Sequence, residues 1–190
     1  MAPVLTVITT SYKRPGFLHH CLEFLRRQET VISFEHRVYL DGPDKASEDV
    51  CKQFPEVICR SMGHCGDYGV KWMDLGVQDA LGDYVCWFDD DNVYYQHAVQ
   101  STVDAARGFD VGVVQILHRQ LGYSLVPPQW DGIPKIGDID TASICVRREV
   151  ALQYSWTGVR GFLQDFRYPA ELCKAGVTFN FSPVVIGVHT

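Results

Sequence analysis

The stretch Val85-Cys86-Trp87-Phe88-Asp89-Asp90-Asp91-Asn92 joins a short apolar run directly to three consecutive aspartates. The apolar run is typical of a buried strand, but adjacent carboxylates at its tip repel one another unless they face water or a cation. Ligands of open α/β sheets bind at the carboxyl ends of the strands, and hard divalent cations prefer oxygen ligands. The stretch therefore indicates either a metal site that also holds an anion or a solvated acidic turn.

The overall composition is that of an ordinary globular domain. The chain has 190 residues, of which 46% are hydrophobic and 21% charged, and its net charge is -6. This length is sufficient for one domain with a substantial core. A negative charge without a Lys/Arg cluster argues against nucleic acid as the main partner. No apolar run approaches the ~18 residues of a transmembrane helix, so no transmembrane segment is predicted.

The cysteines and the first residues bear on the cellular compartment. The seven cysteines are scattered and include no C-x-x-C pair, which favours reduced thiols over a disulfide framework. Residues 1–8 lack the basic segment of a signal peptide. These features predict a cytoplasmic protein, either free or peripheral at a membrane.

Strand and helix patterns alternate along the chain. Apolar runs predict strands over 4–9, 36–40, 57–59, 84–88, 111–117, 139–146 and 184–186. Helical spacing predicts helices from residue 15, over 45–54, 70–81 and 97–107, and near residues 149 and 165. The segment 118–137 contains three prolines and is predicted to be a long loop. The alternation predicts an α/β fold, a single compact domain with a mostly parallel sheet and helices on both faces.

Polar residues cluster where the predicted strands end. Residues 10–14 follow the first strand, Asp41 follows the second, and the three aspartates follow the fourth. Taken singly, each has a simple explanation, since aspartate before Gly-Pro is a common turn former. Because the carboxyl ends of parallel strands meet at one edge of a sheet, together they predict a crevice with hydrogen-bonding groups and metal-binding carboxylates. Such a crevice suits a nucleoside diphosphate.

Three segments, in this order, resemble the signatures of GT-A glycosyltransferases, especially glycosyltransferase family 2. They are Val-Ile-Thr-Thr-Ser-Tyr-Lys-Arg-Pro at 7–15, Val-Tyr-Leu-Asp-Gly at 38–42, and Gly-Asp-Tyr-Val-Cys-Trp-Phe-Asp-Asp-Asp-Asn at 82–92. The resemblance implies a GT-A fold with a nucleotide-sugar-binding half over about 1–92 and an acceptor and catalytic half over about 93–190. It implies transfer of a sugar from a nucleotide donor, expected to be UDP-linked, to a hydroxyl of a glycan, a lipid-linked molecule or another acceptor.

The resemblance also assigns roles to residues of the donor site. Asp41 would hydrogen-bond the nucleobase, and Thr10 and Tyr12 would line the base and ribose. Asp89 would reach the ribose or sugar, with Asp90 in the same donor site. Asp91, in the D-x-D element, would ligate the metal that bridges the diphosphate.

One family element is altered. Family members often carry Ala-Arg-Asn-x-Gly before the Gly-Asp-Tyr turn, whereas this chain has Trp-Met-Asp-Leu-Gly at 72–76 and so lacks the arginine. Lys71 and Arg14 are the candidates to supply the missing positive charge. In several GT-A enzymes a histidine near the C-terminus completes the metal shell, and His189 is placed to do so, unless it is an exposed residue in a frayed tail. Manganese suits a mixed carboxylate and imidazole shell better than magnesium, which is the second choice.

Sugar transfer also requires a group that accepts the proton of the attacking hydroxyl. Family 2 enzymes place a Glu-Asp or similar pair where this chain has Gln164 and Asp165, so the resemblance makes Asp165 the catalytic base. With a base present, a single displacement that inverts the anomeric centre is expected. Helix capping is the alternative role for Asp165, and Asp138 and Asp140 are the next acidic candidates.

Two other functions fit parts of the sequence. Residues 88–93 match the D-x-D-x-V pattern of haloacid dehalogenase-like phosphatases, but that motif usually lies on the first strand, whereas here three predicted strands precede it. A non-catalytic nucleotide-sugar-binding module is the other alternative. Trp130 and Trp156 either stack on sugars or are buried, and Trp72 and Trp87 are predicted to be core residues.

Overall fold

The computed structural model describes residues 2–159 and 163–190. Within these ranges six helices and nine strands follow one another. The strands are β1 (Leu5–Ser11), β2 (Phe34–Leu40), β3 (Val57–Ser61), β4 (Tyr84–Trp87), β5 (Asn92–Tyr94), β6 (Val111–His118), β7 (Ser124–Val126), β8 (Ile144–Arg147) and β9 (Phe179–His189). The helices are α1 (Pro15–Arg26), α2 (Lys45–Cys51), α3 (Val70–Asp79), α4 (Ala98–Ala106), α5 (Arg148–Ala151) and α6 (Gln164–Lys174).

All nine strands form one sheet in the order β3-β2-β1-β4-β8-β6-β9-β5, with β7 paired to β6. The pairs β1–β2, β1–β4, β2–β3 and β6–β9 are parallel, whereas β4–β8, β6–β8, β6–β7 and β5–β9 are antiparallel. The prediction of a mostly parallel sheet is therefore corrected to a mixed sheet. After β6 no long helix carries the chain back across the sheet, so β8 starts near the edge where β6 ends and runs in the opposite direction.

Both faces of the central strands are buried, as the continuous apolar runs predict. Alternate residues of β1 and β4 belong to different clusters: Val7 and Cys86 pack with α1 and α4, whereas Ile8 and Trp87 pack with α3 and α6. This alternation follows from the two-residue period of a strand. Helices therefore cover both faces, which confirms that part of the prediction. Trp156 is fully buried and stacks on Tyr168 with ring centroids 4.1 Å apart, so it is a core residue.

Two short strands and the full length of β9 were not predicted. β5 and β7 have three residues each, and β9 extends over Phe179–His189 rather than 184–186. The N-terminal part of β9 includes Asn180, Ser182 and Pro183 and is only partly buried, so its sequence lacks a continuous apolar run. Its conformation is set by parallel pairing with β6, which a local pattern does not reveal. No helix in the described part of the chain has the length and apolar character needed to cross a membrane.

A buried hydrogen-bond chain fixes the end of β4 to β1 and β2. The Thr9 hydroxyl donates to the Phe88 carbonyl at 2.7 Å, and so the His36 Nε2–H must be the donor to Thr9 Oγ1 at 2.9 Å. His36 Nδ1 is buried without a hydrogen-bond partner among the described residues. A proton on Nδ1 would be an unpaired charge, and burial accordingly lowers the pKa of His36 to about 3.

Acidification should therefore destabilise the fold through His36. Below about pH 6.5 the unfolded chain takes up a proton on this histidine, whereas the folded chain does not until the pH approaches about 3. The free energy of unfolding should fall by up to about 1.4 kcal/mol per pH unit in this window. Urea denaturation at pH 7.5 and 5.0 should show a smaller pH dependence for His36→Gln than for the parent. Equal slopes would show that His36 is protonated in the folded state.

Candidate functional site

One cavity of about 610 Å³ lies at the carboxyl edge of the sheet. The ends of β1, β2 and β4 meet there, together with the start of α6 and the end of β9. Among the residues predicted for the site, the lining includes Thr10, Tyr12, Arg14, Asp41, Asp89, Asp91, Asp165 and His189. The sequence prediction that separate strand ends form one crevice is therefore confirmed by the structure.

One end of the cavity is built around the ring of Tyr12. The Tyr12 side chain is 42% exposed and stacks on His64, with ring centroids 4.5 Å apart. His64 Nδ1 lies 3.1 Å from Asp41 Oδ2, so the imidazole is stacked on an aromatic ring and contacts a carboxylate at its edge. This end of the cavity thus accommodates a flat ring with an N–H group. His64 was not predicted as a site residue.

Asp41 is held firmly at this end. Its Oδ1 accepts hydrogen bonds from the Cys65 backbone N–H at 2.7 Å and from Trp72 Nε1 at 2.8 Å. Burial acts to raise the pKa of Asp41, but these donors outweigh it and lower the pKa below its ordinary value. Asp41 is therefore an ionised acceptor, and Oδ2 is the oxygen that remains for a ligand once His64 moves aside.

The altered family element forms the cavity wall on α3. Met73, at the position of the family arginine, is buried and lines the cavity. Gly76, which matches the glycine of the family element, packs closely against β1, and a Cβ at this position would lie within 2.7 Å of Ile8 Cγ2. Lys71 does not line the cavity, and its ammonium group lies 4.8 Å from the ring centroid of Trp72. Among the two candidates for the missing charge, only Arg14 reaches the cavity.

Arg14 bridges two of the three aspartates. Its guanidinium lies 2.5 Å from Asp90 Oδ1 and 2.7 Å from Asp91 Oδ2. The Asp90 side chain is fully buried and, unlike Asp89 and Asp91, does not line the cavity. Burial raises the pKa of Asp90 to about 6, against the lowering effect of Ser11 and Arg14. Asp90 therefore anchors Arg14 beside Asp91.

The other end of the cavity contains Asp89 and Asp165. Burial, followed by repulsion from Asp140, Asp91 and Asp165, raises the pKa of Asp89 well above its ordinary value. Burial also raises the pKa of Asp165 to about 6, although the Thr141 hydroxyl donates a hydrogen bond to it. A carboxylate poised near neutral pH in a cavity is suited to proton transfer.

His118, Asp140 and His189 form a cluster of candidate metal ligands beside this end. Their donor atoms all lie within 4.8 Å of one another, and the two imidazoles stack at 4.4 Å. Asp140 Oδ1 accepts from the Ala142 N–H, whereas Oδ2 lies 2.9 Å from His118 Nε2 and 3.5 Å from His189 Nδ1. Both nitrogens are thus close to the carboxylate, but neither contact has the angles of a hydrogen bond, and neither nitrogen makes a hydrogen bond to another described residue. Ligands about 2.0–2.2 Å from a metal ion lie a few ångströms apart, so these donors fit one ion.

Sequence reasoning missed His118 and named Asp140 only as an alternative acid. His118 is the last residue of β6 and pairs directly with His189 in the parallel β6–β9 ladder. The signal that would have found it is the register of that ladder, since both histidines end strands. Asp138, the other alternative acid, does not line the cavity.

Residues 6–147 match the sequence profile of Glycosyl transferase family 2, which covers well over half of the chain. The chain belongs to this family. An uncharacterized glycosyltransferase of Rickettsia prowazekii is 21% identical over 112 residues, which are 57% of this chain and 34% of that protein. The predicted family is therefore confirmed, and the phosphatase alternative is wrong.

Solved structures support the same fold at low sequence identity. S. aureus TarS superposes with a TM-score of 0.74 and 13% identity over 98% of this chain and 36% of TarS. The mannosyltransferase PcManGT of Pyrobaculum calidifontis, in complex with GDP-Man and Mn2+, gives a TM-score of 0.70 and 16% identity over 99% of this chain and 57% of that one. The GT-A fold is confirmed, and the chain spans only part of the length of these relatives.

Proposed function

We propose that this chain transfers a sugar from a UDP-linked donor to an acceptor hydroxyl, with a divalent metal ion and inversion of the anomeric centre. The observation that carries the proposal is the composition of the cavity at the carboxyl edge of the sheet. It joins an aromatic ring-binding end at Tyr12 and Asp41 to an acidic end with Asp89, Asp91 and Asp165. A nucleoside diphosphate sugar has the same order of groups, from a planar base through a dianionic linker to a polyhydroxyl ring.

The nucleobase of the donor is assigned to the position that the His64 ring occupies in the structure. Uracil can stack on Tyr12, and its N3–H can donate to Asp41 Oδ2; His64 makes both of these contacts in the structure. TarS residues 1–349, with a TM-score of 0.70 and 10% identity to this chain, were solved in complex with UDP, whereas PcManGT holds GDP-Man, so the choice of uridine rests on the contacts at Tyr12 and Asp41. Thr10, which also lines the cavity, is assigned to the ribose side of this end.

Replacing Asp41 with asparagine should weaken UDP binding about 10- to 100-fold. The amide cannot offer acceptors to Cys65, Trp72 and the base together, and a hydrogen bond to a charged group contributes about 1.5–3 kcal/mol. Calorimetric titration with UDP measures the effect. Asp83→Asn, at an exposed position before β4, is the matched control and should bind UDP like the parent. Unchanged affinity for UDP in a folded Asp41→Asn variant would show that Asp41 does not bind the nucleobase.

The diphosphate is assigned to the region of Arg14. In the structure this guanidinium pairs with Asp91, and the α3 wall of the cavity has the uncharged Met73 at the position of the family arginine. If Asp91 held a cation instead, Arg14 would keep its contact with Asp90 through Nη2, and Nη1 would be released to pair with a phosphate oxygen, for which the planar guanidinium is well suited. Arg14 would then replace the arginine that the family element lacks.

The metal ion is assigned to the acidic end of the cavity. His189 and Asp91 would hold it as the resemblance implies, and His118 and Asp140 offer two further donors next to His189. When bound, the ion supplies Lewis-acid stabilisation of the departing diphosphate. A mixed set of imidazole and carboxylate donors favours Mn2+ over Mg2+, and the presence of Mn2+ in the PcManGT complex supports this choice.

Asp165 is assigned as the catalytic base. It takes the proton of the acceptor hydroxyl while that oxygen forms a bond to the anomeric carbon, and the bond from this carbon to the diphosphate breaks with its electron pair going to the diphosphate. The Thr141 hydroxyl holds the carboxylate in place. The acceptor enters from the side of Asp165, opposite the leaving group, which gives a single displacement with inversion.

A calorimetric screen of UDP, GDP and ADP sugars, with and without Mn2+, tests the whole proposal. Mn2+-dependent binding of UDP sugars, followed by transfer to an acceptor, is the expected result. Binding of a nucleotide sugar without hydrolysis, and without transfer to any acceptor tested, would favour the non-catalytic binding module. Failure to bind any nucleotide sugar would overturn both.

A further inference from the structure

The side chain of His64 occupies the ring-binding end of the cavity. Its imidazole stacks on Tyr12 with ring centroids 4.5 Å apart and ring planes 22° from parallel. Its Nδ1 lies 3.1 Å from Asp41 Oδ2 and 3.3 Å from the Asp41 carbonyl oxygen. Tyr12 and Asp41 Oδ2 are the two groups that the proposed function assigns to the nucleobase, so the imidazole and a base cannot be bound there at the same time.

The turn after β2 leaves room for one flat ring at this position. A Cβ on Gly42 would lie 3.3 Å from the Cβ of His64 and 3.6 Å from Cε2 of Tyr12, so a side chain there would crowd both residues. Gly42 also has a φ of 111°, a conformation that residues with a side chain rarely adopt. The space beside Asp41 is therefore kept open by the backbone, and the His64 ring fills it.

The His64 side chain can leave this position while the backbone stays in place. On one side the Met62 N–H donates to the carbonyl oxygen of the last residue of β2 at 3.0 Å, and on the other the Cys65 N–H donates to Asp41 Oδ1 at 2.7 Å. Between these two anchors the His64 side chain is 51% exposed, and a Cβ on the neighbouring Gly63 would meet no atom within 4 Å. Rotation of the imidazole into solvent therefore breaks its contacts with Tyr12 and Asp41 but neither backbone anchor.

We propose that His64 is an internal competitor of the nucleobase: its imidazole closes the base site, and a nucleotide binds by displacing it into solvent. This inference rests on the proposed function and adds an autoinhibitory contact at the same site. Because only the open state binds a base, the apparent affinity is lower than the intrinsic affinity by the fraction of molecules that are open. His64 therefore weakens the binding of the donor and of the nucleotide product alike, whereas a ligand that binds only at the acidic end of the cavity is unaffected.

The test measures binding of UDP, uridine and inorganic pyrophosphate to His64→Ala and to the parent by calorimetry in the presence of Mn2+. The variant should bind UDP and uridine about 3- to 30-fold more tightly than the parent, because the closed state loses one aromatic stack and one hydrogen bond. Its affinity for pyrophosphate should be unchanged. His20→Ala, at an exposed position on α1, is the matched control and should bind all three ligands like the parent. A gain in affinity is the opposite of what removal of a ligand contact produces.

Proton NMR of the parent provides a readout that does not depend on affinity. The ring protons of His64 are assigned as the imidazole signals that disappear in His64→Ala. Addition of UDP should move these signals, because the imidazole leaves the face of the Tyr12 ring, whereas pyrophosphate should leave them in place. Signals that stay in place at saturation with UDP would show that the imidazole is not displaced, and this result would overturn the inference.

The calorimetric outcomes separate the two proposals. Weaker or unchanged UDP binding by His64→Ala would overturn the competitor role of His64 while leaving the proposed function intact, and weaker binding would make His64 a contact of the nucleotide. An equal gain for pyrophosphate would place the effect outside the base site and would also overturn it. Failure of both the parent and His64→Ala to bind UDP would overturn the proposed function, and with it this inference. Binding of UDP by His64→Ala but not by the parent would support both.

Discussion

Transfer by an Asp165→Asn variant should be about 10²–10⁴-fold slower than by the parent, with donor binding unchanged, because this is the range for losing a general base. Asparagine keeps the size of aspartate and can still accept the hydrogen bond from Thr141, but it cannot accept the proton of the attacking hydroxyl. Rates of transfer from a UDP sugar, with donor affinity measured in parallel by calorimetry, separate this effect from a loss of binding.

The structure supports Asp165 over the other acidic residues. Burial raises the pKa of its carboxyl group to about 6, so that it is largely ionised at pH 7 and yet more basic than an exposed aspartate. Asp138 does not line the cavity, and Asp140 faces the two histidines through Oδ2. Asp138→Asn is therefore the matched control and should transfer sugar at the parent rate.

Two results would contradict this role. Transfer by Asp165→Asn at the rate of the parent would require another base, and Asp140 would be the next residue to test. A product that retains the anomeric configuration of the donor would exclude the single displacement, even if the variant were inactive. Determination of the anomeric configuration by NMR therefore provides a check that does not depend on the variant.

The site residues that could be predicted from the sequence lie at the ends of strands, and these strands are recognisable from their local apolar patterns. The stretch 85–92 combines an apolar strand with a D-x-D element directly after it, and Asp89 and Asp91 of this element line the cavity whereas Asp90 is buried. Asp41 ends a strand in the same way. For these residues, the local sequence identifies the strand and shows that the residue follows its carboxyl end.

The remaining site residues depend on long-range pairing. His118 meets His189 only because β6 and β9 are parallel neighbours, and the N-terminal half of β9 carries no strand pattern of its own. Asp140 reaches the two histidines because the segment after β6 returns to the sheet as the antiparallel strand β8.

Mn2+ should bind to the His118–Asp140–His189 cluster in the absence of any nucleotide. Three protein donors around one point hold an ion without help from a diphosphate. An ion present at 100 times its dissociation constant should stabilise the fold by about 2.7 kcal/mol, which thermal denaturation detects. Mn2+ titration followed by electron paramagnetic resonance measures the affinity directly, and coupling to imidazole nitrogen would identify the histidines as ligands.

Variants at His118 and Asp91 then distinguish this cluster from the Asp91–His189 pair that the resemblance implies, since His189 belongs to both. If the cluster holds the ion, His118→Ala and His189→Ala should each weaken Mn2+ binding by at least 10- to 100-fold, since even the loss of a residue that only supports a ligand has an effect of this size. Asp91→Asn should then leave nucleotide-free affinity nearly unchanged and weaken only the additional binding seen with UDP. His20→Ala, exposed on α1, is the control. If instead Asp91→Asn abolishes Mn2+ binding and His118→Ala has no effect, the ion lies at the aspartate tip of β4, and His118 serves only to orient Asp140.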